Sequence, residues 1–123
     1  MSYAELHSVT VTTDASGDAT AYIAGLKGKI INMIYVKTDF ANGVDFTITT
    51  EESLLDVWVE ENVNASKTIA PRQPTHDKAG VASLYAATGE PVEDHIVMAE
   101  ERLKIVIAQG GDTKTGTFKI IVA

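Results

Sequence analysis

The side chains of this sequence best suited to acid–base or metal chemistry are three histidines, His7, His76 and His95. His7 has no carboxylate or second histidine at ligand spacing. His76 precedes Asp77 and His95 follows Asp94, but neighbours in an extended strand point to opposite faces. Neither pair is therefore expected to form a base with its orienting carboxylate. Because a metal site needs several converging ligands, we expect surface or interface histidines, with metal binding or catalysis as the less favoured alternative.

The other reactive residue types lack the spacing that chemistry requires. Asp14 and Asp18 flank a glycine turn, but the full set of oxygen ligands and the closing glutamate of a calcium loop are missing. No serine lies in a Gly-x-Ser-x-Gly or Ser-x-x-Lys context, and no glycine run forms a dinucleotide or phosphate loop. The chain has no cysteine, which excludes thiol nucleophiles and disulfides. The sequence therefore predicts a non-catalytic protein without metal or cofactor.

Composition describes one acidic globular domain. The 123 residues are 45 % apolar and 22 % charged, as in ordinary folded domains. Ten basic and 17 acidic residues give a formal charge of −7, which repels phosphate backbones and argues against nucleic-acid binding. No apolar run approaches the length of a membrane span, and the first residues lack the features of a secretory signal. We expect a soluble product that is made in the cytosol.

Apolar and polar residues alternate along most of the chain, which is the period of β-strands. Residues 6–13 and 19–23 are predicted to form a hairpin. A second turn is predicted at 25–28. Residues 103–107 and 118–122 alternate most clearly, and they are predicted to form a hairpin with a loop of about eight residues.

Residues 30–36 are apolar on both faces, which is typical of a central strand covered on two sides. The cover could come from the same chain or from a neighbouring subunit. Residues 67–73 form a short extended piece that suits an edge or a loop, since Pro71 and Pro74 lack backbone donors. Residues 74–101 give a weaker signal. Residues 79–89 are compatible with a helical turn, an extended arm or an ordered loop, and residues 92–99 with another short strand.

These patterns predict an all-β fold: an antiparallel β-sandwich of about seven or eight short strands in a single domain, residues 1–123. Alternation does not reveal strand order, so a jelly-roll-like and an immunoglobulin-like sandwich both remain open. No segment has the 10–15-residue helical pattern that parallel βαβ units would need.

Long segments between strands often carry function, and residues 71–101 are the longest in this chain. Tyr85 lies among small residues there and is predicted to be an exposed interface anchor. Trp58 lies within an apolar alternation, where core or subunit-contact packing is favoured over stacking on a sugar. The predicted contact residues are Pro71, Arg72, Pro74, His76, Leu84, Tyr85 and Trp58.

Five segments in combination are distinctive: VDFTITTE (44–51), NVNAS (62–66), PRQPTH (71–76), RLKIVIAQGG (102–111) and KTGTF (114–118). With them, residues 9–122 resemble a family of small virion structural proteins of tailed bacteriophages. The resemblance is one of overall similarity, without a mechanistic motif.

This resemblance implies a head decoration (cement) protein in the virion, bound to the outer surface of the capsid and stabilising it. The implied partner is the phage major capsid protein, and the implied state is a homo-oligomer, for which we expect a trimer. No catalytic residue is carried over from the family. The acidic charge suits a position outside the shell, away from packaged DNA.

Two alternatives to capsid decoration remain at the level of sequence. The chain could occupy another place in the virion, such as the neck, tail or spike. It could also be a β-sandwich module that binds a host receptor or glycan through Tyr85, Trp58 and the turn-rich loops.

Overall fold

The computed structural model describes residues 3–123 and consists of antiparallel β-strands joined by turns. It confirms the predicted all-β antiparallel fold. No helix within the described residues is long and apolar enough to span a membrane. The nine strands are β1 (Glu5–Thr12), β2 (Ala19–Lys37), β3 (Val44–Thr50), β4 (Asp56–Val63), β5 (Lys67–Ile69), β6 (Arg72–Pro74), β7 (Glu93–His95), β8 (Val97–Ala108) and β9 (Thr115–Val122).

One long strand, β2, is shared between two sheets. Its second half pairs with β9 and β5, which gives a first sheet in the order β1-β9-β2-β5. Its first half pairs with β8, which gives a second sheet in the order β2-β8-β3-β4. Strands β6 and β7 form a separate two-stranded ribbon. Because β2 runs through both sheets, it fixes how they are joined.

The two ends of β2 return to the same place. A straight strand of its 19 residues would span about 60 Å. However, Gly17, which precedes β2, and Ala41, which follows it, both bind Gly110. The Gly110 N–H donates to the Gly17 carbonyl and the Ala41 N–H donates to the Gly110 carbonyl, both at 2.9 Å. Strand β2 must therefore fold back on itself within its length.

The fold-back lies at an irregular stretch between Ile23 and Gly28, where the pairing of β2 with β8 shifts register twice. Gly25 and Gly28 have φ angles of +75° and +100°, which disfavour residues with a side chain. Immediately afterwards Lys29 exchanges backbone hydrogen bonds of 2.8 and 2.9 Å with Ala123. Bulges of this kind let one strand leave one sheet and enter another.

Aromatic side chains from both sheets meet in the core. Tyr35 and Phe118 come from the first sheet, and Phe46 and Trp58 from the second. The ring centroid of Phe46 lies 4.6 Å from that of Tyr35 and 4.9 Å from that of Phe118. Phe40, from the loop after β2, stacks on Tyr35 at 6.1 Å. Edge-to-face and offset contacts of this kind stabilise beyond the area they bury.

Three local predictions are wrong. Strand β1 pairs with β9, not with residues 19–23, and β8 and β9 do not form a hairpin because β2 lies between them. Residues 25–28 form a bulge inside a strand rather than a turn between strands. Alternation identifies strands, but it does not reveal that one of them continues through two sheets.

The prediction for residues 30–36 holds on one face only. Another register shift, between Ile30 and Asn32, places Ile30 on the same inner side as Met33 and Tyr35, and all three are buried. Ile34 on the outer face is only half-buried. Within the described residues, the second sheet and Phe40 therefore cover one face of this part of β2, and its outer face is half-buried.

Replacement of the two bulge glycines tests the fold-back of β2. Gly28→Ala should destabilise the protein more than Gly25→Ala, because a Cβ at Gly28 would lie 2.6 Å from the carbonyl oxygen of Ala123 while one at Gly25 meets nothing within 4 Å. Gly25→Ala should cost about 1–2 kcal/mol for its positive φ, and the clash should add about 1–3 kcal/mol to Gly28→Ala. Urea unfolding measures both, and equal losses would contradict the proposed contact.

Candidate functional site

Residues 72–95, which we call the arm, lie outside the hydrophobic core. No residue of the arm is buried, whereas the flanking Pro71 and Ile96 both are. Ordering backbone costs about 1–2 kcal/mol per residue, and here almost no apolar burial offsets that cost. Burial of apolar side chains therefore explains the ordered conformation of the arm less well than that of the rest of the fold.

Backbone hydrogen bonds give the arm its shape. Its outer segments pair as β6 and β7, and the middle segment joins them in a closed ring of three bonds. Thr75 N–H donates to the Val92 carbonyl, Val92 N–H to the Ser83 carbonyl, and Ser83 N–H to the Thr75 carbonyl, at 2.8–2.9 Å. Three extended segments are thus tied together without a core.

Two tight turns reverse the chain within the arm. In the first, the Asp77 carboxylate accepts hydrogen bonds from the N–H groups of Ala79 (2.8 Å) and Val81 (3.0 Å), and Gly80 has a φ of +83°. In the second, Gly89 N–H donates to the Ala86 carbonyl at 2.9 Å. Turns closed by aspartate and glycine are locally determined, so the arm keeps a defined shape.

The arm exposes apolar side chains to solvent. Tyr85 is 76 % exposed, Val81 62 % and Leu84 41 %. Single exposed apolar residues are ordinary on protein surfaces. Three of them within residues 81–85, on a segment without a core of its own, make the arm the candidate contact surface of this fold.

The predicted contact residues at the base of the arm divide into anchors and exposed positions. Pro71 is buried, and Arg72 is half-buried. The Arg72 guanidinium donates to the carbonyls of Pro71 (2.7 Å) and of Ile31 in β2 (3.3 Å), which ties the arm to the sandwich. Pro74 and His76 are exposed. The structure thus brings Pro74, His76, Leu84 and Tyr85 onto the exposed arm, whereas Pro71 and Arg72 hold it in place.

Trp58 does not belong to this surface, and its prediction as a contact residue is corrected. Its side chain is only 4 % exposed and packs edge-to-face on Phe46 at 5.5 Å. Its indole N–H donates to the Glu60 carboxylate at 3.0 Å. A bulge in the pairing of β3 with β4 leaves the neighbours Val57 and Trp58 both buried, which strict alternation does not predict.

Two statements about the histidines are also corrected. Glu5, two residues before His7 on the same strand face, lies 3.1 Å from His7 Nε2. The Asp94 carboxylate folds back to accept the His95 N–H at 2.7 Å, which also brings it within 3.3 Å of the ring Nδ1. These hydrogen bonds lower the pKa of Asp94, the one from the His95 backbone most strongly. Both pairs are exposed and each has a single carboxylate.

An open cleft of about 600 Å³ lies where the β3–β4 turn meets β8, lined by Glu51, Glu52, Ser53, Ala99, Glu100, Glu101 and Arg102. The Glu101 carboxylate is buried there and accepts bonds from the N–H groups of Glu52 (2.8 Å) and Ser53 (3.0 Å) and from the Ser53 hydroxyl (2.8 Å). The Ser53 backbone bond is the main cause that lowers the pKa of Glu101, although burial opposes it. These three bonds close the β3–β4 turn, so this carboxylate has a structural role.

The acidic run at 100–101 gave no sequence signal for this role, because the β3–β4 turn that Glu101 closes lies about fifty residues away. Arg102 beside it donates to both oxygens of Glu51, at 2.5 and 2.6 Å, and lies 4.0 Å above the Tyr22 ring.

Within residues 3–123, no group of three or more histidine, aspartate or glutamate side chains is placed to hold a metal ion. No protein-family model and no curated protein matches the chain.

Substitution of Glu101 tests its role in the β3–β4 turn. A group whose pKa is lowered by folding stabilises the protein above its unfolded pKa, about 4.5, and that stabilisation is lost as pH falls below it. Glu101→Gln should therefore lower the free energy of unfolding by roughly 1–3 kcal/mol at neutral pH and flatten its decline in acid. Glu100→Gln, the exposed neighbour, should leave both unchanged. Similar acid profiles for the two variants would contradict the assignment.

Proposed function

We propose that this chain is a non-catalytic structural protein of a tailed-phage virion, which binds the outer surface of the capsid through the arm and stabilises the shell. The observation that carries the proposal is the arm: an ordered, exposed segment with apolar side chains and no core. The phage context comes from the resemblance of residues 9–122 to small virion structural proteins.

The chemistry of the molecule supports a role through contact. The buried aromatic rings lie in the core between the sheets. In the open cleft at the β3–β4 turn, Glu101 closes the turn and Glu51 pairs with Arg102. Among the described residues, the Tyr35 hydroxyl is buried without a hydrogen-bond partner, and burial raises its pKa to about 12. It therefore stays protonated and out of reach of a substrate.

Charge and valency fit the same role. A formal charge of −7 favours the outer surface over the DNA-filled interior. Each arm offers a small contact area, so tight attachment would depend on several arms binding at once in a homo-oligomer. Linked contacts raise affinity through effective concentration without any new interaction.

A glycan- or receptor-binding module is the second candidate, and Tyr85 is the feature that favours it. With Trp58 buried, however, Tyr85 is the one exposed aromatic residue of the arm. Sugar platforms use a ring together with convergent polar groups, whereas apolar neighbours such as Leu84 suit a protein partner better.

Removal of the arm should abolish capsid attachment and leave the sandwich folded. Thr75 and Val92 continue the β6–β7 register, so residues 76–91 can be replaced by Asn-Gly, which closes a two-residue hairpin. Co-sedimentation with phage heads that lack this protein measures attachment. Undiminished binding of the shortened chain would remove the arm from the mechanism, and failure of the intact chain to bind heads would refute capsid decoration.

A single substitution gives a finer test of the same surface. Tyr85→Ala should weaken attachment by about tenfold or more, as expected for an aromatic anchor. Leu54→Ala is the matched control, since Leu54 is also 76 % exposed but lies outside the arm. A glycan array with both variants distinguishes the second candidate: sugar binding that Tyr85→Ala abolishes would favour the binding module.

A further inference from the structure

Strand β1 has one side without a partner. It pairs with β9 along its whole length, and within residues 3–123 no strand pairs with its other side. Thr13 N–H, which continues this pairing, donates to the Lys114 carbonyl at 2.8 Å. Because bonding direction alternates along an antiparallel strand, the even-numbered residues direct their backbone N–H and C=O groups away from β9: Leu6, Ser8, Thr10 and Thr12.

The other edges of the two sheets carry protective features. The first half of β2 contains the glycine bulge and Lys27. Strand β4 contains Asp56, Glu60 and Glu61 and pairs irregularly with β3. Strand β5 is only three residues long and begins with Lys67. Bulges, charges and short length are the usual means of preventing edge-to-edge pairing.

Strand β1 has none of these features beyond its first residue. It is eight residues long, regular in register, free of proline and lysine, and uncharged from Ser8 to Thr12. Its sequence there, Ser-Val-Thr-Val-Thr, has high β propensity. An edge of this kind is a template for another strand.

We propose that the free edge of β1 pairs with β1 of a second copy of this chain, antiparallel and centred on Val9. In this register Leu6 lies opposite the partner's Thr12 and Ser8 opposite the partner's Thr10. All four edge-directed residues are then used, with about eight backbone hydrogen bonds. The two first sheets become one continuous sheet across a two-fold axis.

Charge and side-chain pairing favour a second copy as the occupant. Although each chain carries a charge of −7, the strand's one carboxylate, Glu5, lies at its far end. The two copies of Glu5 are therefore at opposite ends of the paired strands. Next to the axis, hydroxyl side chains face hydroxyl side chains, and Val9 faces Val9, pairings that stabilise sheets. The surface is complementary to itself.

Pairing of identical edges closes after two copies. This edge therefore favours a dimer over the trimer that the resemblance implied. It also presents two arms in a fixed relation, which is the valency that capsid attachment through the arm would use. The dimer itself does not depend on the proposed function.

Sedimentation velocity over a micromolar-to-millimolar concentration series tests the pairing. The intact chain should form dimers. Thr10→Pro should weaken them by at least about tenfold, because it removes an edge donor from each copy and introduces a ring. The Thr10 N–H does not bond to β9, so the β1–β9 pairing survives. Thr10→Val keeps the N–H and should dimerise as the intact chain does.

A cysteine variant reads out the register even if Thr10→Pro fails to fold. Val9→Cys places two thiols across the axis with Cα atoms about 4.5 Å apart, a distance that a disulfide spans. Mild oxidation should give a cross-linked dimer, whereas Val59→Cys, an exposed valine on the edge strand β4, should not cross-link. A monomer at all concentrations, a trimer, or a dimer without the Val9→Cys cross-link would overturn the proposal.

Discussion

The fold depends on the reversal of β2. This strand enters in one sheet, bends at the glycine bulge between Ile23 and Gly28, and returns in the other. Only with this bend does Tyr35 of the first sheet reach Phe46 of the second, at 4.6 Å. The aromatic contact and the bend therefore support each other: the bend places the rings, and their burial stabilises the bent strand.

The sequence predicted the class of fold but not its connections. Val9, Val11, Phe118 and Ile120 alternate as strands do, and the structure has them as strands. The alternation of apolar and polar residues does not show which strands pair, because pairing is decided by contacts between distant residues. Glycines such as those at 25 and 28 are typical of turns. Only the pairing of β2 with β8 and β9 shows that they lie in a bulge within a strand. Local pattern and tertiary context therefore diverge most at this bend.

The candidate surface could be predicted where its structure depends on neighbouring residues in the sequence. The prolines at 71 and 74 and the weak pattern after them marked an irregular segment, and Tyr85 among small residues is exposed as predicted. Trp58, for which packing in the core or against a subunit was favoured, is a core residue and not a contact residue. Glu101 gave no signal, since its role depends on the distant turn at Ser53. Roles that depend on distant partners are those that a single sequence does not show.

The proposed function implies a division between the two parts of the structure. The β2 fold-back and the aromatic core stabilise the sandwich, and the arm, which contributes no core residue, would bind the partner. The most direct measurement of this division is a cryo-electron microscopy reconstruction of the phage head. The account predicts density for this sandwich on the outer surface, with Leu84 and Tyr85 buried against the shell. Heads without such density, or with the arm facing solvent, would contradict it.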